Sequence, residues 1–427
     1  MTQRNRRTPG RLLRPAVLLV LLGLAGAAAH ADDPALNLPI GDPARRDKQA
    51  TLMLDAVTDT ATGEQITPRE LAARLSGVRV LFVGESHTSV EFHAVQRRII
   101  EELHRAGRPV LIGLEMYPYP EQPWLDKWSA GQLSEEAFLH DSRWYRNWAY
   151  HWLYYRDIFV FARDRKIRMF AVNTPREVVQ AVRKKGFADL TPEEAAHIPA
   201  RIDTDNAEHR RLFKAYFTGG DSMHAPSMSE EQWDGMFRAQ CTWDATMGKN
   251  AVEALRQAGT PDAIMVVLIG SGHVSYGLGA ERQARLWFDG KMASLIPIPV
   301  VGDKGERPAV RASYANFLWG VAREEHSAFP SLGLSTPERK DGEHWPVINV
   351  QKDSVAAAAG FKVGDLLVSM DGTPLVEKGT MSQLMSEKRW GDAADFVIQR
   401  GAETLTLKAF FRRTLPAETR PAGGAGK

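Results

Sequence analysis

Val78-Arg79-Val80-Leu81-Phe82-Val83-Gly84-Glu85-Ser86-His87 is the stretch from which the fold can be read. Its apolar run is continuous rather than alternating, as in a strand buried on both faces of a parallel sheet. Fifteen residues follow, Val90–His104, in which Phe92, Val95, Ile99 and Leu103 recur at helical spacing. A second continuous run, Val110–Leu114, comes next. Strand, helix and strand in that order make a βαβ unit, so the spacing predicts an α/β core.

Two further runs, Ile167–Val172 and Ile264–Ile269, extend the same reading to four buried strands. The gaps between them are too long for structureless loops in a compact domain and are expected to be helical insertions, about Glu121–Arg165 and Arg176–Ala258. The second ends in a helix opened by Ser229-x-x-Gln232, a capping-box pattern. Its inner stripe is Trp233, Phe237, Gln240, Asp244, Met247, Ala251 and Leu255. Two polar residues on that stripe require buried partners. Past residue 331 the pattern changes to short strands with turn punctuation around Val347–Val350, Gly364–Gly372, Phe396–Gln399 and Thr404–Lys408.

Composition narrows the function. The 427 residues include 54 Lys and Arg against 52 Asp and Glu, a balance unlike that of a dedicated nucleic-acid binder. Arg4, Arg6, Arg7, Arg11 and Arg14 precede an apolar run from Ala16 to Ala29 and a small-x-small site, Ala29-His30-Ala31. That is an export signal, and its apolar run is shorter than the roughly 20 residues of a membrane span. Arg6-Arg7 resembles a twin-arginine start, but Pro9 and Gly10 stand where apolar residues should follow, so ordinary secretion is expected. Removal of 1–31 leaves 49 basic against 52 acidic residues. Cys241 is the single cysteine and does not follow the signal, which excludes an intramolecular disulfide, a cysteine-based zinc cluster and lipid attachment there. A periplasmic or secreted protein is expected. The Pro/Gly/Ala-rich end, 416–427, reads as disordered.

Each buried run ends in residues able to do chemistry: Glu85 and His87, Glu115, Asn173-Thr174-Pro175-Arg176, and Gly270-Ser271-Gly272-His273. The carboxyl ends of parallel strands share one edge, where open α/β sheets bind ligands. His87 and His273 with Glu85 or Glu115 can ligate a divalent metal. The same four residues can instead act as acid and base in hydrolysis. The first insertion carries five of the eleven Trp, and a helix expected over Ser142–Arg163 places Trp144, Trp148, His151, Tyr155 and Phe159 on one stripe. Such a wall suits a flat apolar cofactor with His151 or a tyrosine such as Tyr154 as ligand, or else an aromatic core. Cys241 is assigned to packing.

Residues from roughly Arg79 to Gly320 resemble the ChaN-like, haem-binding uptake proteins of the Tiki/TraB/erythromycin-esterase superfamily. The resemblance lies in Val83-Gly84-Glu85-Ser86-His87, Leu114-Glu115-Met116, Asn173-Thr174-Pro175-Arg176, Gln240-Cys241-Thr242-Trp243-Asp244-x-x-Met247 and Gly270-Ser271-Gly272-His273-Val274. It implies a layered, mostly parallel sheet with a helical insertion subdomain, and haem held between two subunits for iron uptake or storage. It also implies that Gln240 and Asp244 face the cleft; with Asn173 and Arg176 of the strand ends and His151, Tyr154 and Trp148 of the aromatic insertion, they make up the candidate cofactor set. Hydrolases of the wider superfamily use residues matching Glu85, His87, Glu115 and His273, so enzyme and binder both stay open. Such proteins are often lipoproteins, and this chain lacks the cysteine for it.

Ser354-Val355-Ala356-Ala357-Ala358-Ala359-Gly360-Phe361 through Gly364-Asp365 to Met370-Asp371-Gly372 resembles a bacterial PDZ domain, with Leu332, Gly333 and Leu334 placed as its carboxylate-binding loop. That implies capture of a peptide C-terminus or protein partner by strand addition, or a module that only packs. The expected division is a signal peptide at 1–31, a ChaN-like domain at 45–325, a PDZ domain at 326–415 and the tail at 416–427.

Overall fold

The structure is a computed structural model that describes residues 34–217, 228–300, 308–337 and 341–413. The expected signal peptide, its cleavage site and the tail lie outside the described residues. The described residues divide into two units: a larger one that holds those up to Ser331 together with Lys378–Ala393 and 411–413, and a smaller one of Leu332–Glu377 and Ala394–Phe410.

The larger unit is built on an eight-stranded sheet. A short pair of strands, β1 (Gln49–Ala50) and β9 (Val310–Arg311), stands beside it. The sheet itself comprises β2 (Val57–Asp59), β3 (Gln65–Ile66), β4 (Val80–Glu85), β5 (Val110–Pro118), β6 (Met169–Asn173), β7 (Ile264–Gly270), β8 (Met292–Val300) and β10 (Phe317–Ala322), in the order β3-β2-β10-β8-β4-β7-β5-β6. The five pairings from β10 to β6 are parallel, and β2 and β3 close the other edge antiparallel. The four strands expected from their apolar runs therefore sit side by side, and every residue of β4 and β7 is buried.

Four strands of this sheet escaped the sequence reading. In β8 the cause is Pro297 and Pro299, which normally argue against a strand. Its pairing with β4 ends at Leu295, and beyond that point it pairs only with β10, so neither proline removes a bond from a two-sided ladder.

Two hydrophobic layers flank the sheet. One contains α1 (Pro68–Arg74), α2 (Val90–Arg105) and the first insertion: α3 (Gln122–Ser129), α4 (Glu135–Asp141), α5 (Trp144–Asn147) and α6 (Arg156–Asp164). The other is dominated by α10 (Glu230–Ala258), whose buried stripe includes all seven expected residues, with α11 (Ala280–Ala284). Three shorter helices precede α10: α7 (Arg176–Lys185), α8 (Pro192–Ala196) and α9 (Ala207–Ala215). The Ser229 side chain accepts from the Gln232 N–H and the Gln232 side chain returns the bond, as the capping box requires.

The single helix expected over 142–163 is instead broken into α5, a short 3-10 turn Trp152–Tyr154, and α6. Arg143 is left-handed and Trp148 extended, and the Trp144 indole N–H donates to the Tyr150 carbonyl across the break. His151 caps the 3-10 turn through Nδ1, which accepts from the Leu153 N–H at 3.1 Å. Local side-chain bonds thus outcompete helix in a run of bulky aromatics.

The smaller unit contains β11 (Leu334–Ser335), which pairs with β13 (Asn349–Val350), and a sheet ordered β12 (Trp345–Pro346), β14 (Leu366–Met370), β16 (Ala393–Arg400) and β17 (Glu403–Phe410), with β15 (Thr373–Pro374) beside β14. Its helix α12 (Val355–Ala359) ends at Gly360, where φ of +87° favours glycine. Phe361, Leu367, Met370, Phe396 and Ile398 form its core. Asp365 is buried and bidentate to Arg400 at 2.7 and 2.8 Å. Helix α13 (Thr380–Ser386) clusters with the larger unit.

Candidate functional site

Because β4, β5 and β7 are parallel neighbours, their carboxyl ends deliver Glu85, Glu115 and Gly270 to one edge. Glu85, His87, Glu115 and His273 are all buried. The Glu115 carboxylate accepts the Gly270 N–H at 2.6 Å, and its other oxygen lies 3.6 Å from His273 Nε2. Gly270 also brings in His87: a methyl group there would stand 3.2 Å from His87 Cε1 and 3.6 Å from Glu115 Oε2. The two imidazoles therefore flank one carboxylate.

Each imidazole is held from behind by a carboxylate of its own. His87 Nδ1 donates to Glu85 Oε1 at 2.7 Å, and His273 Nδ1 donates to Asp244 Oδ1 at 2.6 Å. A carboxylate on Nδ1 fixes the ring and presents Nε2, an arrangement used both in acid–base catalysis and behind metal ligands. Burial alone would lower both imidazoles, but Glu85 and Glu115 raise His87, and Asp244 and Glu115 raise His273.

Glu85 is fully enclosed. It accepts from the Tyr155 hydroxyl at 2.7 Å and from Gln96 Nε2 at 2.6 Å, with His93 Nδ1 3.7 Å away. Burial pushes its carboxyl up, yet His93, His87 and Tyr155 together hold it down to about 2. Both nitrogens of His93 face oxygens, Gln96 Oε1 at 3.0 Å and the His87 carbonyl at 3.3 Å. With its oxygens so occupied, Glu85 orients His87 rather than offering itself as a ligand.

Asn173 joins the edge by donating to the Glu115 carbonyl at 2.9 Å, and Gln240 Nε2 lies 2.9 Å from His273 Nδ1. Arg176 opens α7, close enough to Tyr150 to pull against the rise that burial gives its hydroxyl. Trp148 and Tyr150 pack on the His87 ring with centroids 4.9 and 4.7 Å away, and the buried Trp148 indole N–H has no hydrogen-bond partner among the described residues. Cys241 is buried in α10 and its thiol is pushed far up by burial, in keeping with packing.

His151 stands apart from this edge, and Tyr154 meets it through the His93 ring, with centroids 5.7 Å apart. His151 Nε2 donates to the Ser386 carbonyl at 2.9 Å, its Nδ1 accepts from Leu153, and its ring stacks on Phe329 at 3.7 Å. Burial lowers it to about 4. The Tyr154 hydroxyl is bonded to Ser327 Oγ at 2.9 Å. Neither offers a free ligand atom in this conformation, so the residues nominated for an axial bond fit haem poorly there. At the strand ends, by contrast, His87 Nε2 beside two aromatic rings has the donor chemistry haem iron takes. For a divalent cation the donor types fit, but among the described residues no three His, Cys, Asp or Glu side chains are close enough to hold one.

Four residues of the site went unread in the sequence: His93, Gln96, Tyr155 as a donor, and His209, which lies beside Asp244. His93 and Gln96 are polar residues on the buried side of α2, next to the stripe of Phe92, Val95 and Ile99. A polar residue adjoining an apolar stripe reads as its solvated border, and only the tertiary partner Glu85 reverses that reading. In the smaller unit Leu332 is buried, Gly333 has φ of +73° and Leu334 begins β11.

Residues 71–283 match the model for haem-binding uptake proteins, Tiki superfamily, ChaN, and residues 330–409 match the model for PDZ domains. The chain thus carries a ChaN-like haem-binding domain of the Tiki superfamily followed by a PDZ domain. Among solved structures it is similar to ChaN of Campylobacter jejuni, described with cofacial haem binding, at 17% identity over 63% of this chain and 98% of that one, TM-score 0.48. It is also similar to a serine endoprotease from Yersinia pestis at 20% identity, over 20% of this chain and 29% of that one, TM-score 0.18. No curated protein matches.

Proposed function

We propose that this is an exported haem- and iron-handling protein of the bacterial periplasm, whose ChaN-like domain takes haem for iron uptake and whose PDZ domain recruits a peptide or protein partner. The observation that carries the reading is the haem-binding uptake match over 71–283. The pairing of His87 with Trp148 and Tyr150 at the strand ends supports it, since aromatic faces and an imidazole are what a porphyrin edge and its iron require. The export pattern at 1–31 supports the compartment. Haemin added to the purified chain should give a saturable, shifted Soret band with defined stoichiometry. Absence of such a band removes the haem function.

One observation favours a second reading, a hydrolase or peptidase. His87 and His273 are each braced by a carboxylate, His273 Nε2 lies 3.6 Å from Glu115, and the His87 ring packs beside the same Gly270 that Glu115 binds, which is a general acid–base arrangement. Under it, His87→Ala or Glu115→Ala abolishes turnover of a peptide or ester substrate while haemin affinity is retained. Loss of haemin binding in those variants, with no substrate turned over by the parent, rules it out.

A further inference from the structure

Behind Asp244, which braces His273, lies a further layer of polar groups, His209, Arg282 and Asp203, that neither the haem nor the hydrolase reading uses. Asp244 Oδ1 holds His273 Nδ1, while its Oδ2 is buried and has no hydrogen-bond partner among the described residues. The group facing that orphan oxygen is His209 Nε2, 3.5 Å away on α9. His209 is itself buried, and its Nδ1 accepts from Arg282 Nη2 at 3.2 Å, with Cys241 Sγ 3.8 Å away. Because Nδ1 accepts, the ring proton sits on Nε2, the nitrogen on the Asp244 side. Arg282 is in turn paired with Asp203, which also accepts a backbone N–H within its own loop. The line from the site outward is Glu115, His273, Asp244, His209, Arg282, Asp203.

His273 has two competing neighbours on one nitrogen. Asp244 Oδ1 at 2.6 Å requires a proton on Nδ1, whereas Gln240 Nε2 at 2.9 Å is a donor and requires a lone pair there. The choice matters because it decides what Nε2 shows to Glu115. With Nδ1–H, Nε2 is a lone pair able to take a proton or a metal. With Gln240 donating instead, Nε2 carries the proton and is chemically blocked.

We propose that His209 is a positioning residue that sets the tautomer of His273: its N–H, steered by Arg282, keeps the Asp244 carboxylate turned toward Nδ1 and so keeps Nε2 open. The proposal rests on the strand-end reading of the site, but on neither choice of ligand or reaction. A lone buried oxygen facing a steered N–H is the feature that packing alone leaves unexplained.

The test uses the full chain labelled at histidine with 15N, at one fixed pH. In the parent, His273 should show a strongly deshielded, Asp-bonded Nδ1 proton. His209→Phe fills the space without a donor and should lose that signal, with the proton moved to Nε2. His209→Gln, which keeps an N–H, should retain the signal. Should His209→Phe fail to fold, Arg282→Gln serves in its place, since it frees His209 to turn its proton away, and the same loss is expected. An unchanged His273 signal in a folded His209→Phe or Arg282→Gln protein overturns the proposal. Because the readout is a tautomer, failure of haemin binding or of turnover leaves it intact, and the two failures are distinguishable.

Discussion

Glu85 shows how much of the site is decided by a single carboxylate. Removed from water, it stays charged because imidazole, phenol and amide donors converge on it. Tyr155→Phe removes one of these donors and should cost about 1.5–3 kcal/mol in urea unfolding, the range for a hydrogen bond to a charged group. The pH dependence follows from the sign of the shift. Held at about 2 against an ordinary 4.5, Glu85 contributes stability that is complete above 4.5 and lost as pH falls toward 2. Tyr155→Phe raises the folded value, so its pH-dependent loss still begins near 4.5 but ends at a higher pH and is smaller than the parent's; stability-versus-pH curves that fall by the same amount would contradict this. At this scale the sequence was legible where chemistry follows a strand, as for Glu85, His87, Glu115 and His273. It was illegible where the partner comes from a distant segment, as Tyr155 at the N-cap of α6 does for Glu85.

Helix packing supplies the next check. Gly248 lies within α10, where its missing side chain admits α11: a methyl group there would stand 2.7 Å from the Ala280 carbonyl oxygen and 3.0 Å from the Ala284 nitrogen. Helix propensity alone predicts that Gly248→Ala stabilises by about 1 kcal/mol. Contact with backbone reverses the sign, and the expected result is a loss of about 1–3 kcal/mol in urea. The carrier of Arg282 would shift with it. Elements with one dominant signal were readable: four continuous apolar runs gave strands, and Ser229 with Gln232 gave the start of α10. The aromatic run 142–163 was misread as one helix because its spacing fits a stripe, while His151 and Trp144 bond to nearby backbone and break it. In β8, prolines hid a strand whose far half has one neighbour.

At the scale of the whole molecule, a domain that offers a buried, braced imidazole is joined to a module with its own small core. That smaller core leans on the Asp365–Arg400 pair, whose burial would raise Asp365 were Arg400 not there to lower it. Asp365→Asn should lower the melting midpoint of the smaller unit, at a cost of about 1.5–3 kcal/mol, with the Soret response unchanged. Export predicts that the chain recovered from periplasm begins at Asp32, read by N-terminal sequencing; retention of Met1 would refute it. The central claim, that haem is taken at the strand ends beside His87 rather than at His151, is tested most directly by haemin titration of the parent, His87→Ala and His151→Ala proteins. The expected result is a saturable Soret band that His87→Ala weakens at least tenfold, about 1.4 kcal/mol, and that His151→Ala leaves in place. A band lost in His151→Ala and kept in His87→Ala would contradict it.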